Sequence, residues 1–362
     1  MNTFKRWYGL DLFRGLAVYA VILVHADEVT TKAPAGWSAI LGFSEFAVPF
    51  FLAGSFFLST KKLLNSEKPY PLLNRIKRLG IPYIFWTLFY LFYKMAKYAI
   101  DGDTDSLSQL FSNPISIIFL GGAAFHLYFI PLLIAGTFVL KAFNLAKIKN
   151  IKRYKITILW TISLVIYQII LSSNNQVELS SGLAFEPLLT AIAPKILDIP
   201  LIKVFAIEIA WILRCLPYLL GAILIYQNNL HIKFSRMSPW KIVTIVSAFC
   251  LINAIGYLFI PSALQEILRG YSAILAAIAI SSILNKNKII MSIGASSFGI
   301  YLIHLAILDI CQIASNRLNF PDLSHPSLLT LFAVTTFGFI VSWILSIYLM
   351  KFEKISRLIF GN

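Results

Sequence analysis

Charged residues are scarce in this chain of 362 residues, and only 16 of them are acidic. Asp, Glu, Lys and Arg make up 13% of the sequence, whereas soluble domains contain about 25%. Hydrophobic residues make up 58%. The apolar runs approach the roughly 20 residues of a membrane-spanning helix and exceed the roughly 10-residue segments of a β-barrel. The sequence therefore predicts an all-α, polytopic membrane protein and excludes a soluble fold.

Cysteine is also rare, and the chain has no residue cluster with metal-ligand spacing. Cys215, Cys250 and Cys311 each lie within an apolar run, where a thiol is usually an inert packing group. We therefore predict no metal site and no disulfide. Internal repeats, which mark many transporters, are not evident. Because no loop is long enough for a soluble domain, we predict one transmembrane domain over residues 1–362.

Ten apolar stretches are predicted to span the membrane as helices. They cover residues 9–27, 38–60, 79–100, 117–140, 156–172, 204–226, 241–260, 266–284, 289–312 and 327–350. The loops between them differ in charge, and Lys and Arg are expected on the cytoplasmic side. One alternating set of segments holds 22 of the 31 Lys and Arg residues and the other set holds 4. The basic set comprises residues 5–6, 61–78, 141–155, 233–241, 286–288 and 351–357.

This charge asymmetry predicts that both termini are cytoplasmic. It also accounts for the net charge of +15, because the cytoplasmic face meets anionic lipid headgroups. Membrane lipids are therefore the expected partner of the basic loops, and nucleic acid is not. The sequence does not indicate an oligomeric state.

Three ionisable residues, Asp11, Arg14 and His25, interrupt the first predicted span. The helical rotation from Arg14 to His25 is about 20° more than three full turns, and the two residues are roughly 16 Å apart along the helix axis. Asp11 lies three positions before Arg14, where the two side chains can pair. All three share one face, which must meet the bundle interior or a water-filled cavity. For Asp11 and Arg14 the alternative is a role as anchors at the cytoplasmic end.

Two more histidines lie within predicted spans. By helical rise, His304 and His25 lie roughly 22 and 24 Å above the cytoplasmic ends of their spans, and His126 roughly 16 Å above the inner face. Histidine is suited to proton transfer near neutral pH. The shared depth favours a chemical role for His25, while His126 and His304 are alternatively hydrogen-bonded packing residues.

Five short motifs in this order resemble those of the acyltransferase type 3 family of integral membrane acyltransferases. They are Arg14 followed after ten residues by His25, "RIKR" with Arg75 and Arg78, "FHLYFIPLL" with His126, "LPYLLGAIL" near residue 220, and "SFGIYLIHLAI" with His304. Tyr128 stands where the family usually has Trp. In "PFFLAGSFFLS" the order of Gly54 and Ser55 is exchanged relative to the family, which leaves the role of Ser55 open.

The resemblance implies a bacterial inner-membrane enzyme that transfers an acyl group, most often acetyl from acetyl-CoA, to a hydroxyl group of an envelope glycan or lipid-linked sugar. Acetyl-CoA would be a donor substrate, and no bound cofactor is expected. His25 then acts as the base or as a transient acyl carrier, and Arg14 holds the polar arm of the donor. Arg75 and Arg78 suit phosphates, although they also fit simple anchoring of the cytoplasmic face.

A secondary transporter or flippase is the alternative function, with Arg14, His25, Glu208 and Arg214 lining a substrate or proton path. Glu208 and Arg214 are six positions apart, a helical rotation of about 240° beyond one full turn. The two side chains therefore lie on different faces of the helix and need separate partners. Structural pairing is the favoured interpretation of both residues, and substrate contact is the alternative. The candidate site thus comprises catalytic His25 and Arg14, and substrate-binding Asp11, Ser55, Arg75, Arg78, His126, Glu208, Arg214 and His304.

Overall fold

A computed structural model describes residues 6–26, 33–64, 70–143, 151–172, 199–318 and 326–361. All regular structure in these ranges is helical, which confirms the prediction of an all-α bundle. The helices are α1 (Tyr8–Ala26), α2 (Trp37–Ser44), α3 (Ala47–Leu64), α4 (Leu72–Asp101), α5 (Thr104–Gln109), α6 (Pro114–Phe119), α7 (Phe129–Ala142), α8 (Arg153–Ser172), α9 (Pro200–Gln227), α10 (Leu230–Phe234), α11 (Pro239–Ile255), α12 (Ser262–Ile280), α13 (Lys288–Leu318), α14 (Leu328–Met350) and α15 (Glu353–Phe360).

Among the described residues, nine helical segments are long and apolar enough to cross a membrane. They match every predicted span except the third, at residues 79–100. That segment does form α4, a helix of 30 residues. Its Tyr, Trp and Lys residues make it less apolar than the other long helices, which is why it is not among the nine. Much of the predicted outer loop at 172–203, including residues 173–198, lies outside the described ranges.

Two predicted spans are interrupted. The second consists of α2 and α3, with a turn at residues 45–46. The fourth is predicted over residues 117–140 with an ambiguous start. Its long helix, α7, begins only at Phe129, and α6, a loop and a 3-10 turn at Phe125–Tyr128 precede it. Gly121 has a φ of +81° in that loop, a backbone conformation that only glycine adopts without strain.

The chain forms two compact units. The first comprises residues up to Phe57 together with Ile225–Phe352, and the second comprises Leu58–Leu224 together with the residues from Glu353 onward. In the first unit α1 packs against α12, α13 and α14. In the second unit α4 packs against α7 and α15.

Candidate active site

The polar face of α1 begins with a buried carboxylate between two guanidinium groups. Asp11 is 3% exposed and accepts a hydrogen bond from Arg6 Nε at 2.7 Å and one from Arg14 Nη1 at 3.4 Å. The sequence predicted the pairing with Arg14 but not the one with Arg6, which precedes the helix. The hydrogen bond to Asp11 raises the pKa of the Arg6 guanidinium, so Arg6 stays charged.

Close packing fixes this part of α1 in register. A Cβ on Gly294 of α13 would lie 2.5 Å from the Cβ of Asp11, so only glycine allows the two helices to approach there. Directly after α12, Ser281 Oγ accepts a hydrogen bond from the Gly9 backbone N–H at 2.8 Å and donates one to the Ala277 carbonyl at 2.8 Å. The N-terminal half of α1 is therefore held on two sides.

The two histidines at matched predicted depth lie together in the first unit. The rings of His25 and His304 are stacked, with centroids 5.3 Å apart and planes inclined by 26°. His304 is fully buried and its Nδ1 donates a hydrogen bond to the carbonyl oxygen of Tyr301. In the neutral ring this leaves Nε2 as the proton acceptor. Stacking occupies the ring faces, whereas the lone pair of the unprotonated nitrogen in each neutral ring points outward in the ring plane.

Ser55 is half-buried on α3, within the motif whose order departs from the expected one. The preceding Gly54 makes no close approach, because a Cβ there would have Ile274 Cδ1 as its nearest neighbour at 3.6 Å. The tight contact is made instead from α12, where a Cβ on Gly270 would lie 2.5 Å from the Pro49 carbonyl oxygen. The close contact between α3 and α12 therefore depends on Gly270 and not on Gly54.

In the second unit, His126 lies on the 3-10 turn before α7 and is 1% exposed. The ring of Tyr90 on α4 meets it edge-on, with centroids 5.1 Å apart. Tyr83, one residue after Pro82 on α4, holds the loop before this turn: its hydroxyl donates to the Ile117 carbonyl and accepts from the Gly121 N–H, both at 2.9 Å. The sequence indicated His126 but not Tyr83. An aromatic residue within an apolar span is common, so the sequence gave no specific sign that Tyr83 holds a loop.

The remaining candidates of the second unit lie on α4 and α9. Arg75 is half-buried and Arg78 is exposed in the first two turns of α4. Arg214 is buried on α9, whereas Glu208 is half-buried. Within the described ranges, no three His, Cys, Asp or Glu side chains come together as a metal site.

The structure thus brings Arg6, Asp11 and Arg14 into one ion-paired group and stacks His25 on His304. The sequence missed Gly9, Gly294 and Ser281, which position that group. Small residues spaced along α12 and α13 were the available signal, but many membrane helices carry them for packing alone.

Comparison with known proteins adds one match. Residues 7–347, nearly the whole chain, match the model of a family described as an acyltransferase domain, the type 3 family of acyltransferases. No curated protein and no solved structure matches the chain. The matched range contains the histidine pair, the Asp11 group and the Arg75–Arg78 segment.

Proposed function

The chain belongs to the type 3 family of acyltransferases and is a multi-pass membrane protein. We propose that it transfers an acetyl group from acetyl-CoA to a hydroxyl group of an envelope or extracellular glycan, or of a related lipid-linked sugar. We propose the bacterial inner membrane as its location. The transporter alternative is set aside because the family match points to group transfer.

The stacked pair of His25 and His304 is the observation that carries this proposal. In the proposed step, an in-plane ring nitrogen of His25 takes the proton of the acceptor hydroxyl, whose oxygen attacks the thioester carbonyl. A C–O bond forms, the C–S bond breaks, and the proton passes to the CoA thiolate. In this proposal His304 supports the step through its fixed tautomer, because donation from Nδ1 makes Nε2 the nitrogen that can accept a proton or a hydrogen bond.

Positive charge supports the choice of a CoA donor. Arg14 contributes a guanidinium inside the span, and Arg75 and Arg78 contribute two more at the predicted cytoplasmic end of α4. Guanidinium groups bind phosphates with paired hydrogen bonds. We propose that Arg75 and Arg78 bind the donor phosphates and that the donor enters from the cytoplasm. The acidic segment with Asp101, Asp103 and Asp105 lies at the opposite end of α4, where phosphates would be repelled.

The first test measures release of CoA and loss of label from [14C]acetyl-CoA by the purified protein in detergent. His25→Ala should lower turnover by about 10²–10⁴-fold, the usual contribution of a general base, with unchanged thermal unfolding. His231→Ala is the matched control, because His231 lies outside the proposed site, packed against Tyr226. Wild-type turnover in a well-folded His25→Ala protein would reject the catalytic assignment, and no consumption of acetyl-CoA by the unmodified protein would reject the donor.

A second measurement separates the two chemical routes. Incubation with labelled acetyl-CoA and no acceptor should leave no label on the protein if His25 acts as a base. Label on the protein that requires His25 would instead indicate a transient acyl-histidine. Mass spectrometry of envelope glycans from cells with and without the gene then identifies the acceptor, as a difference of one acetyl group.

A further inference from the structure

The short helix α15 is docked on α4 through one face. Ser356, Ile359 and Phe360 are buried, whereas Lys354 and Arg357 on the other side are exposed. In the bundle, α15 contacts α4 within the same compact unit. The helix is therefore a fixed part of the unit that carries the arginine pair of α4.

A hydrogen bond from Trp86 fixes the end of α15 on α4. Trp86, which is 4% exposed, donates its indole N–H to the Ile359 carbonyl oxygen at 2.9 Å. This satisfies one of the carbonyl groups that the last turn of a helix leaves without an intrahelical donor. Gly361 then ends the helix with a φ of +71°, while its N–H donates to the Arg357 carbonyl oxygen at 3.1 Å.

Gly361 lies directly on Arg78. A Cβ at Gly361 would collide with the Arg78 carbonyl oxygen and would lie 3.1 Å from the Arg78 Cγ, which belongs to the side-chain stem. A hydrogen stands there instead and faces the carbonyl, in the manner of a weak Cα–H···O contact. Only glycine fits this position, because it satisfies both the positive φ and the close approach.

The Arg78 carbonyl that Gly361 covers cannot make the usual intrahelical hydrogen bond of α4. Pro82 lies four residues after Arg78 and has no N–H, so the usual intrahelical bond from residue 82 to the carbonyl of residue 78 is not made. The helix thus lacks one of its own restraints at Arg78. Contact with α15 replaces it with packing on both the backbone and the side-chain stem of that residue.

We propose that α15, held on α4 by Trp86 and by the contact of Gly361 with Arg78, positions the Arg78 guanidinium to bind the phosphates of the acyl donor. This inference rests on the proposed function, in which Arg75 and Arg78 bind those phosphates. Gly361 and Trp86 are positioning residues, because they touch Arg78 and its helix and do not touch the reacting atoms. Their effect must therefore appear in recognition of donor phosphates and not in the chemical step.

The experiment compares acetyl-CoA with S-acetylpantetheine, which has the same thioester arm but lacks the phosphates. Gly361→Ala and Trp86→Phe should raise KM for acetyl-CoA about tenfold, as expected for loss of roughly one charge-assisted hydrogen bond. Neither variant should change kcat with acetyl-CoA or kcat/KM with S-acetylpantetheine. Gly102→Ala is the matched control: Gly102 ends α4 with a similar φ of +69°, but a Cβ there would meet nothing within 4 Å.

Loss of turnover by the same factor with both donors would overturn the inference, because it would show a general structural effect. An unchanged preference for acetyl-CoA in both variants would overturn it as well. If Gly361→Ala lowers protein yield, Trp86→Phe still removes the indole N–H and keeps a smaller aromatic ring in place. Failure of the unmodified protein to use acetyl-CoA at all is a separate outcome, which overturns the proposed function and this inference with it.

Discussion

Replacement of Gly294 by Ala tests whether the contact between α1 and α13 sets the geometry of the histidine pair. The new Cβ would lie 2.5 Å from the Asp11 Cβ and 2.7 Å from the Asp11 Cα. Carbon atoms in contact prefer a separation of about 3.5–4.0 Å. The two helices must therefore move apart by about 1 Å at this point, because one of the clashing atoms belongs to the backbone.

His25 lies on α1 and His304 lies on α13, so this separation changes the spacing of their stacked rings. A displacement of about 1 Å in a reacting group can lower the rate on the order of 10²-fold. The cost in stability is smaller, because insertion of a methyl group into a packed interior costs about 1–3 kcal/mol. We therefore expect Gly294→Ala to lose about 10²-fold in kcat while it still folds.

The assay measures acetyl transfer and thermal unfolding of the same purified sample. Gly54→Ala is the control, because its nearest neighbour would be 3.6 Å away and the change should leave both quantities close to those of the unmodified protein. If Gly294→Ala is as active as Gly54→Ala, the approach of α1 to α13 does not govern the histidine pair and the reasoning is refuted.

Two further predictions concern the arginine pair and His304. The double variant Arg75→Ala, Arg78→Ala should weaken binding of acetyl-CoA in a direct titration more than it lowers kcat, and unchanged affinity would leave both residues as topology anchors. His304→Gln should retain more activity than His304→Asn, because its amide group reaches the position of Nε2 whereas that of Asn mimics Nδ1. Equal activities of the two variants would argue against a role for Nε2.

Helical periodicity was enough to predict much of the site in the first unit. Residue spacing placed Asp11, Arg14 and His25 on one face of α1, and the rise per residue placed His304 at the depth of His25. Both arguments need only a regular helix, and α1 and α13 are regular through these residues. They do not identify which helices are neighbours, so the stacking of the two rings had to come from the structure.

The parts that sequence could not predict depend on contacts between distant residues. The interrupted fourth span is one case, since the loop at Gly121 is held by the hydroxyl of Tyr83, 38 positions earlier in the chain. The role of Gly361 is another case, because it depends on the carbonyl of Arg78, which is far from Gly361 in the sequence. A periodic pattern reports the face of one helix and contains no information about such pairs.

The arrangement around Asp11 bears on why charged groups occur in the first span at all. A purely structural ion pair in a membrane helix is expected to be neutral, because each unpaired charge is costly there. Here one carboxylate serves both Arg6 and Arg14, so the three groups together carry one net positive charge. The contact of Arg14 with Asp11 is longer than that of Arg6, at 3.4 Å against 2.7 Å. The Asp11 carboxylate therefore binds the Arg14 guanidinium less tightly than the Arg6 guanidinium. An anionic or strongly polar donor group would complete this set, and that is the property expected of a binding site for an acyl-CoA.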